Sequence, residues 1–171
     1  MKIKQQAAER HVLTVTVDNE AGILAKIAGL FTARGYNIDS LTVADISENH
    51  ETSRITIVTH GPPEVIDQIR AQLDRLVPVH KVTDLTEIGP HVERELALVK
   101  VAGTGDARVE ALRLADVFRA SVVDTTTRSF VFELTGTPEK IDRFVGLMRD
   151  LGLVEVGRTG VVGMIRGPDG A

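Results

Sequence analysis

The chain has no cysteine and no tryptophan, and aromatic residues make up only 4% of its 171 positions. Without cysteine there are no disulfides, thiolate nucleophiles or cysteine-based metal sites, which suits a reducing compartment. No lysine- or arginine-rich run occurs, and the formal net charge is −4. Both features argue against nucleic-acid binding. No apolar run approaches the length of a membrane span. The opening M-K-I-K-Q-Q-A-A-E-R lacks the apolar core of a secretory signal. A cytoplasmic protein with a flexible tail over residues 1–10 is expected.

Catalytic signatures are missing too. His11, His50, His60, His80 and His91 show no metal-ligand spacing, and they read as structural or surface residues. Gly103-Thr-Gly105 fails the dinucleotide fingerprint, because Arg108 stands at the third glycine position. No Walker loop, nucleophile elbow or H-E-x-x-H helix is present. The carboxylates are scattered, as on a solvated surface. Nothing here reads as a self-sufficient enzyme.

What is present is ordinary globular composition, 43% apolar and 26% charged. The organising stretch is Val17 to Leu41, which reads as strand end, turn, helix and second strand. Asp18 and Asn19 are candidate caps, and Gly22 sits where the helix opens. Ile23, Leu24, Ile27, Leu30 and Phe31 make one apolar stripe. Gly22, Ala25, Gly29 and Ala33 make a stripe of small residues roughly opposite. Gly35 suits a left-handed stop, and Tyr36-Asn-Ile-Asp is expected to start the next strand. The first helical turn presents free N–H groups and the positive end of the helix dipole, where a carboxylate fits.

Around that stretch the pattern is regular. Val12, Leu13, Val15 and Val17 predict the first strand. Ile38–Ile46 and Ser53–His60 alternate and predict a hairpin. Gly61-Pro-Pro stops the strand and opens a helix with Pro63 in its first turn. Val65, Ile66, Ile69, Leu73 and Leu76 are its apolar face, and Val79–Leu85 is a fourth strand. The order strand, helix, strand, strand, helix, strand is the ferredoxin-like βαββαβ pattern. Gly89-Pro90 then punctuates the chain.

The pattern repeats, with strands at Leu96–Ala102, Ala120–Thr126 and Ser129–Thr135, and a last one at Leu153–Val156. Val109, Leu112, Leu114, Val117 and Phe118 indicate one helix, and Pro138–Leu151 a second. Gly61-Pro-Pro-Glu-Val-Ile-Asp matches Gly136-Thr-Pro-Glu-Lys-Ile-Asp, so two copies of one small fold are expected. The copies differ at the first turn, Asp-Asn-Glu-Ala-Gly against Ala-Gly-Thr-Gly-Asp-Ala, and only the first suits a ligand. Phe130 and Phe132 share a strand face, and core packing explains them better than base stacking. The fold class is α+β, with a tail at 1–10, one domain at 11–88 and a second at 89–171. Open sheet edges favour a homodimer or larger oligomer.

Taken together the residues resemble a known family. D-N-E-A-G-I-L-A-K-I-A-G-L-F-T-A-R-G-Y-N-I-D-S-L-T-V is very similar to the first domain of the regulatory (small) subunit of acetolactate synthase. H-V-E-R-E-L-A-L-V-K-V at His91–Val101 and R-T-G-V-V-G at Arg158–Gly163 look like the second domain's signatures. The first copy also resembles an ACT domain, a module that binds amino acids. The resemblance implies a non-catalytic subunit with no cofactor of its own. Its partner would be a catalytic large subunit carrying thiamine diphosphate, Mg²⁺ and FAD. It further implies activation of that subunit and feedback by valine, leucine or isoleucine, valine foremost. The effector site it implies lies between ACT domains of two chains, at Asn19, Gly22, Ile23, Leu24, Ala25, Asn37 and Ile38. A stand-alone ACT-type amino-acid sensor is the alternative, and an RNA-binding protein on the same fold is disfavoured by the acidic balance.

Overall fold

In the computed structural model, residues 8–170 are described. The first strand, β1 (Glu9–Asp18), leads into helix α1 (Ile23–Thr32). A hairpin of β2 (Ser40–Asp45) and β3 (Thr52–Gly61) follows, then α2 (Pro63–Leu73), β4 (Val79–Asp84) and the short α3 (Leu85–Ile88). The second run is β5 (His91–Ala102), α4 (Gly105–Val117), β6 (Ser121–Thr125), β7 (Ser129–Gly136), α5 (Pro138–Arg149) and β8 (Leu153–Arg158). A last strand, β9 (Val162–Ile165), closes the chain. The chain divides into two compact units, Met1–Val92 with Val161–Ala171, and Glu93–Gly160.

The first unit holds an antiparallel sheet in the order β2-β3-β1-β4. Strand alternation gives β1 two faces. Leu13, Val15 and Val17 join Ile23, Ile27 and Phe31 of α1 and Ile66, Ile69 and Leu73 of α2 in one buried core. Val12 faces the other way and meets Val58, Leu85 and Val161 in a smaller cluster, with Ile165 against it. Pro63 opens α2 at its first position, where a missing N–H costs nothing.

The second unit repeats the design, with strand order β6-β7-β5-β8. Val99, Val101, Phe132, Leu134, Ile141, Phe144 and Met148 fill its core. The internal match holds in three dimensions. Ile66, Ile69 and Leu73 on α2, and Ile141, Phe144 and Met148 on α5, are all fully buried. Phe130 and Phe132 are core residues, 5.3 Å apart between ring centres. Among the described residues no helix is long and apolar enough to cross a membrane.

Five expectations are corrected. Residues 1–7 of the expected tail lie outside the described residues, but Glu9 and Arg10 already pair with Gly61 and His60 in the sheet. The second strand starts at Ser40 and not at Tyr36, because Asn37 and Asp39 turn their polar groups to local partners. The strand at Leu153 is not the last. The tail Val161–Ala171 groups with the first unit and not with 89–160. Val161 is buried there, its N–H donates to Ser40 Oγ at 2.8 Å, and its carbonyl accepts from Thr42 Oγ1 at 2.7 Å. Finally, α4 is a helix that turns only part of its expected stripe inward, Leu114 and Phe118 packing against the second core. Ala111 and Ala115 are buried, whereas Val109 and Val117 are 66% and 65% exposed. Small alanines let the helix sit close to its sheet, which apolar spacing alone does not reveal.

Candidate functional site

The turn between β1 and α1 is tied down by backbone bonds and not by side-chain caps. Asn19 N–H donates to Glu51 O at 2.7 Å, and Glu20 N–H to Asp18 O at 2.9 Å. Asp18 and Asn19 do not cap the helix, contrary to expectation. Asp18 instead accepts from the His80 ring at 2.5 Å, and Asn19 Nδ2 donates to His50 O at 2.9 Å. The N-cap is Gly22, at φ 88° and ψ −5°, with no side-chain hydrogen bond to the first turn. That left-handed backbone is the physical reason for glycine here. A Cβ at Gly22 would meet nothing within 4 Å, so the space beside the turn is open.

The first-turn N–H groups of Leu24 and Ala25 therefore face outward without an acceptor among the described residues. This end of α1 carries no acidic residue in its first turn, so its positive dipole is not neutralised locally. Leu24 is 41% exposed and Ala25 is exposed, giving a small apolar shoulder beside the amides. Ile23 points inward and belongs to the core, so it offers backbone and not side chain.

Asn37 and Ile38 follow the left-handed stop at Gly35, whose φ is 69° as its position after the helix requires. Asn37 Nδ2 donates to Asp39 Oδ1 at 2.8 Å, and its carbonyl accepts from Thr59 Oγ1 at 2.7 Å. Ile38 is half-buried against the first core. Asn19 and Asn37 thus both use their NH₂ within the chain and leave Oδ1 as an acceptor.

One chain does not bring these two groups together. Asp18 lies opposite Thr52 at one end of β3, while Asp39 N–H bonds to Val58 O near the other. Six strand residues separate those points, about 20 Å at roughly 3.3 Å per residue. Asn19, Gly22, Leu24 and Ala25 lie together at one end of the sheet. Asn37 and Ile38 lie at its far end.

Pairs distant in sequence were not visible in it. His11 Nδ1 lies 2.7 Å from Asp84 Oδ2, both side chains being almost completely buried. Glu87 lies within reach of the same point, so His11, Asp84 and Glu87 could together approach a cation. Arg70 already pairs with Glu87 at 2.5 Å, and Asp84 caps α3 through Thr86 N–H, which ties this group to structure. In the second unit, Glu95–Leu96 and Arg158–Thr159 meet. Arg158 binds Glu95, and Leu96 N–H donates to Thr159 Oγ1 at 3.1 Å.

Comparison with known proteins covers both units. Residues 13–81 match the family model described as an AHAS small subunit-like ACT domain. Residues 94–167 match the one described as small subunit of acetolactate synthase. The acetolactate synthase isozyme 3 small subunit of Salmonella typhimurium is 45% identical over 159 residues, 92% of this chain and 96% of that protein. A probable acetolactate synthase small subunit of Archaeoglobus fulgidus is 44% identical over 158 residues, 92% of this chain and 98% of that one. Among solved structures, the acetolactate synthase small subunit of Thermotoga maritima superposes with a TM-score of 0.84 at 36% identity, covering 94% of this chain and 99% of that chain.

Proposed function

The chain belongs to the acetolactate synthase small-subunit family, and from that membership we propose that it is the regulatory subunit of an acetolactate synthase, activating a catalytic large subunit and relaying feedback by valine. The single observation that carries the reading is the family match over both units, residues 13–81 and 94–167. An amino-acid sensor of another system needs only the first.

The geometry supports an effector site shared by two chains. In the sheet order β2-β3-β1-β4, β2 is an edge. Pairing two β2 edges antiparallel about a two-fold axis sets the start of one β2 beside the end of the other. The end of β2 lies at the β2–β3 turn, to which Asn19 is tied through His50 O and Glu51 O. Such pairing brings Asn37 of each chain to the other chain's Asn19–Ala25 turn. The halves that are about 20 Å apart in one chain then face each other across the dimer.

The chemistry suits an α-amino acid. The amides of Leu24 and Ala25 receive its carboxylate, the Oδ1 atoms of Asn19 and Asn37 receive its ammonium, and Leu24 with Ile38 flanks a branched side chain. Burying a valine-sized side chain contributes about 1.5–3 kcal/mol, and charged hydrogen bonds add about 1.5–3 kcal/mol each before binding entropy is subtracted. We expect a dissociation constant between about 1 μM and 1 mM, about −8 to −4 kcal/mol.

The test is reconstitution. The purified chain with thiamine diphosphate, Mg²⁺, FAD and pyruvate should form no acetolactate. Added to the catalytic subunit, it should raise the rate and confer inhibition by valine, with leucine and isoleucine compared in parallel. An unchanged rate in the mixture would overturn the reading in favour of a separate amino-acid sensor.

A further inference from the structure

On the face of the first sheet away from α1 and α2 there is a cavity of about 340 Å³. Its floor is Thr42, Ala44, Arg54 and Thr56, and its wall is Val162 and Met164 of the tail. The register explains the floor. Ala44 pairs with Arg54 and Thr42 with Thr56, so all four side chains leave the sheet on the same side. The tail stands over them because Val161 is fastened to Ser40 and Thr42. The volume lies within the ~300–1,000 Å³ typical of clefts that bind small ligands.

Arg54 is the unusual member. Its Nε and Nη2 are both shielded from solvent, and neither has an acceptor among the described residues. Donors hidden without an acceptor are costly, so buried polar groups are normally paired. Nε and Nη2 form one edge of the guanidinium, the edge that receives both oxygens of a carboxylate in parallel. The rest of the lining is apolar or hydroxyl, and no carboxylate of the described residues lines the cavity. An ammonium group would find no anionic partner there, which disfavours amino acids.

We propose that this cavity is a second small-molecule site, for an aliphatic carboxylic acid without an amino group. Arg54 holds the carboxylate, the Thr56 hydroxyl donates to an adjacent oxygen, and Ala44, Val162 and Met164 enclose the hydrocarbon body, while the Thr42 hydroxyl stays bonded to the Val161 carbonyl. A branched 2-oxo acid fits all three requirements. The site uses none of the residues assigned to valine and stands whether or not valine binds at the β1–α1 turn.

The probe is 3-methyl-2-oxobutanoate, titrated into the full chain by calorimetry and by NMR of the arginine Nε–H resonances, with valine as the contrasting ligand. Saturable binding with a shift of the Arg54 Nε–H signal is expected. Arg54→Met should weaken binding at least about tenfold, the loss expected for a charge-assisted hydrogen bond. It should also raise the melting temperature of the free protein, because it removes unmatched buried donors. Ile46→Glu, at a lining residue that is 55% exposed, should weaken binding by repulsion without loss of fold. Absence of saturable binding, equal binding by Arg54→Met, or displacement of the oxo acid by valine would overturn the proposal. So would a drop in oligomeric mass on Ile46→Glu, which would assign the face to a second copy of the chain.

Discussion

Arg158 meets Glu95 edge to edge, with Nε on Oε1 at 2.7 Å and Nη2 on Oε2 at 2.8 Å, and its Nη1 reaches Asp142 at 2.6 Å. The Glu95 side chain is only 4% exposed. The Glu95 hydrogen bonds, and then Asp142, hold the guanidinium pKa well above its ordinary value. Removing Arg158 would leave a buried carboxylate unmatched. We expect Arg158→Ala to destabilise the second unit by about 2–3 kcal/mol, the low end for breaking a buried charge pair, since the arginine itself is partly exposed. Urea denaturation followed by near-ultraviolet and far-ultraviolet signals checks this. Arg158→Lys should recover only part of the loss, because an ammonium cannot grip both oxygens.

At Gly163 the tail passes close over Leu85 and Val12. A Cβ there would lie 2.6 Å from Leu85 Cδ1 and 3.3 Å from Val12 Cγ1, both on fully buried side chains. Gly163→Val should therefore lift the tail and expose the cluster of Val12, Val58, Leu85 and Val161. Hydrogen exchange should accelerate at Val161–Ile165 and leave the second unit unchanged. Unaltered protection of the tail would show that it adapts in place.

Asp45 accepts from Ser47 N–H at 3.0 Å and also bonds the His50 ring. Ser47 N–H first, and His50 after it, hold the carboxyl pKa below its ordinary value of 3.8. A carboxyl lowered by folding stabilises the folded turn above the ordinary value and loses that contribution as pH falls through the folded value. The Ser47 amide resonance should titrate with a midpoint below 3.8. Asp45→Asn should abolish that transition. A midpoint at or above the ordinary value would contradict the assignment.

These cases also mark what the sequence made legible. The βαββαβ order, the hairpins and the repeat followed from alternation and from Pro and Gly placement, because those signals are local. The matching cores around Ile66 and Ile141 followed from period alone. The inward face of α4 did not follow in full, since Leu114 and Phe118 pack on the core as the stripe implied but Ala111 and Ala115 bury there without a hydrophobic signal. Neither did the seat of the tail, the His11–Asp84 pair or the unmatched edge of Arg54, which depend on partners brought in from far along the chain. Of the candidate effector residues, Gly22 takes a left-handed backbone at an uncapped helix start, and the Ile23 side chain lies in the core, which the spacing of the apolar stripe implied.

Gly22→Asp should remove valine sensitivity and spare activation of the catalytic subunit. The new carboxylate would stand beside the amides assigned to the ligand. The cost to folding is about 1–2 kcal/mol, because φ is 88° and only glycine adopts that region freely. The added Cβ itself meets no atom within 4 Å beyond its chain neighbours, so the cost is that of the backbone conformation. Valine titration of the reconstituted enzyme, with sedimentation to confirm assembly, decides the matter. Inhibition at the wild-type valine concentration would show the site to be misplaced.

The central claim is that one effector site takes residues from two chains, and mixing two defective variants tests it most directly. Gly22→Asp damages the turn half, and Asn37→Ala damages the half at the other end of the sheet. Each variant alone should bind no valine by calorimetry. In a two-fold dimer containing one chain of each, one of the two sites receives an intact turn and an intact Asn37. After co-refolding in equal amounts, half of the dimers are mixed, and valine capacity should return to about one quarter of wild type. No recovery in dimers confirmed as mixed would contradict a shared site and place the effector within a single chain.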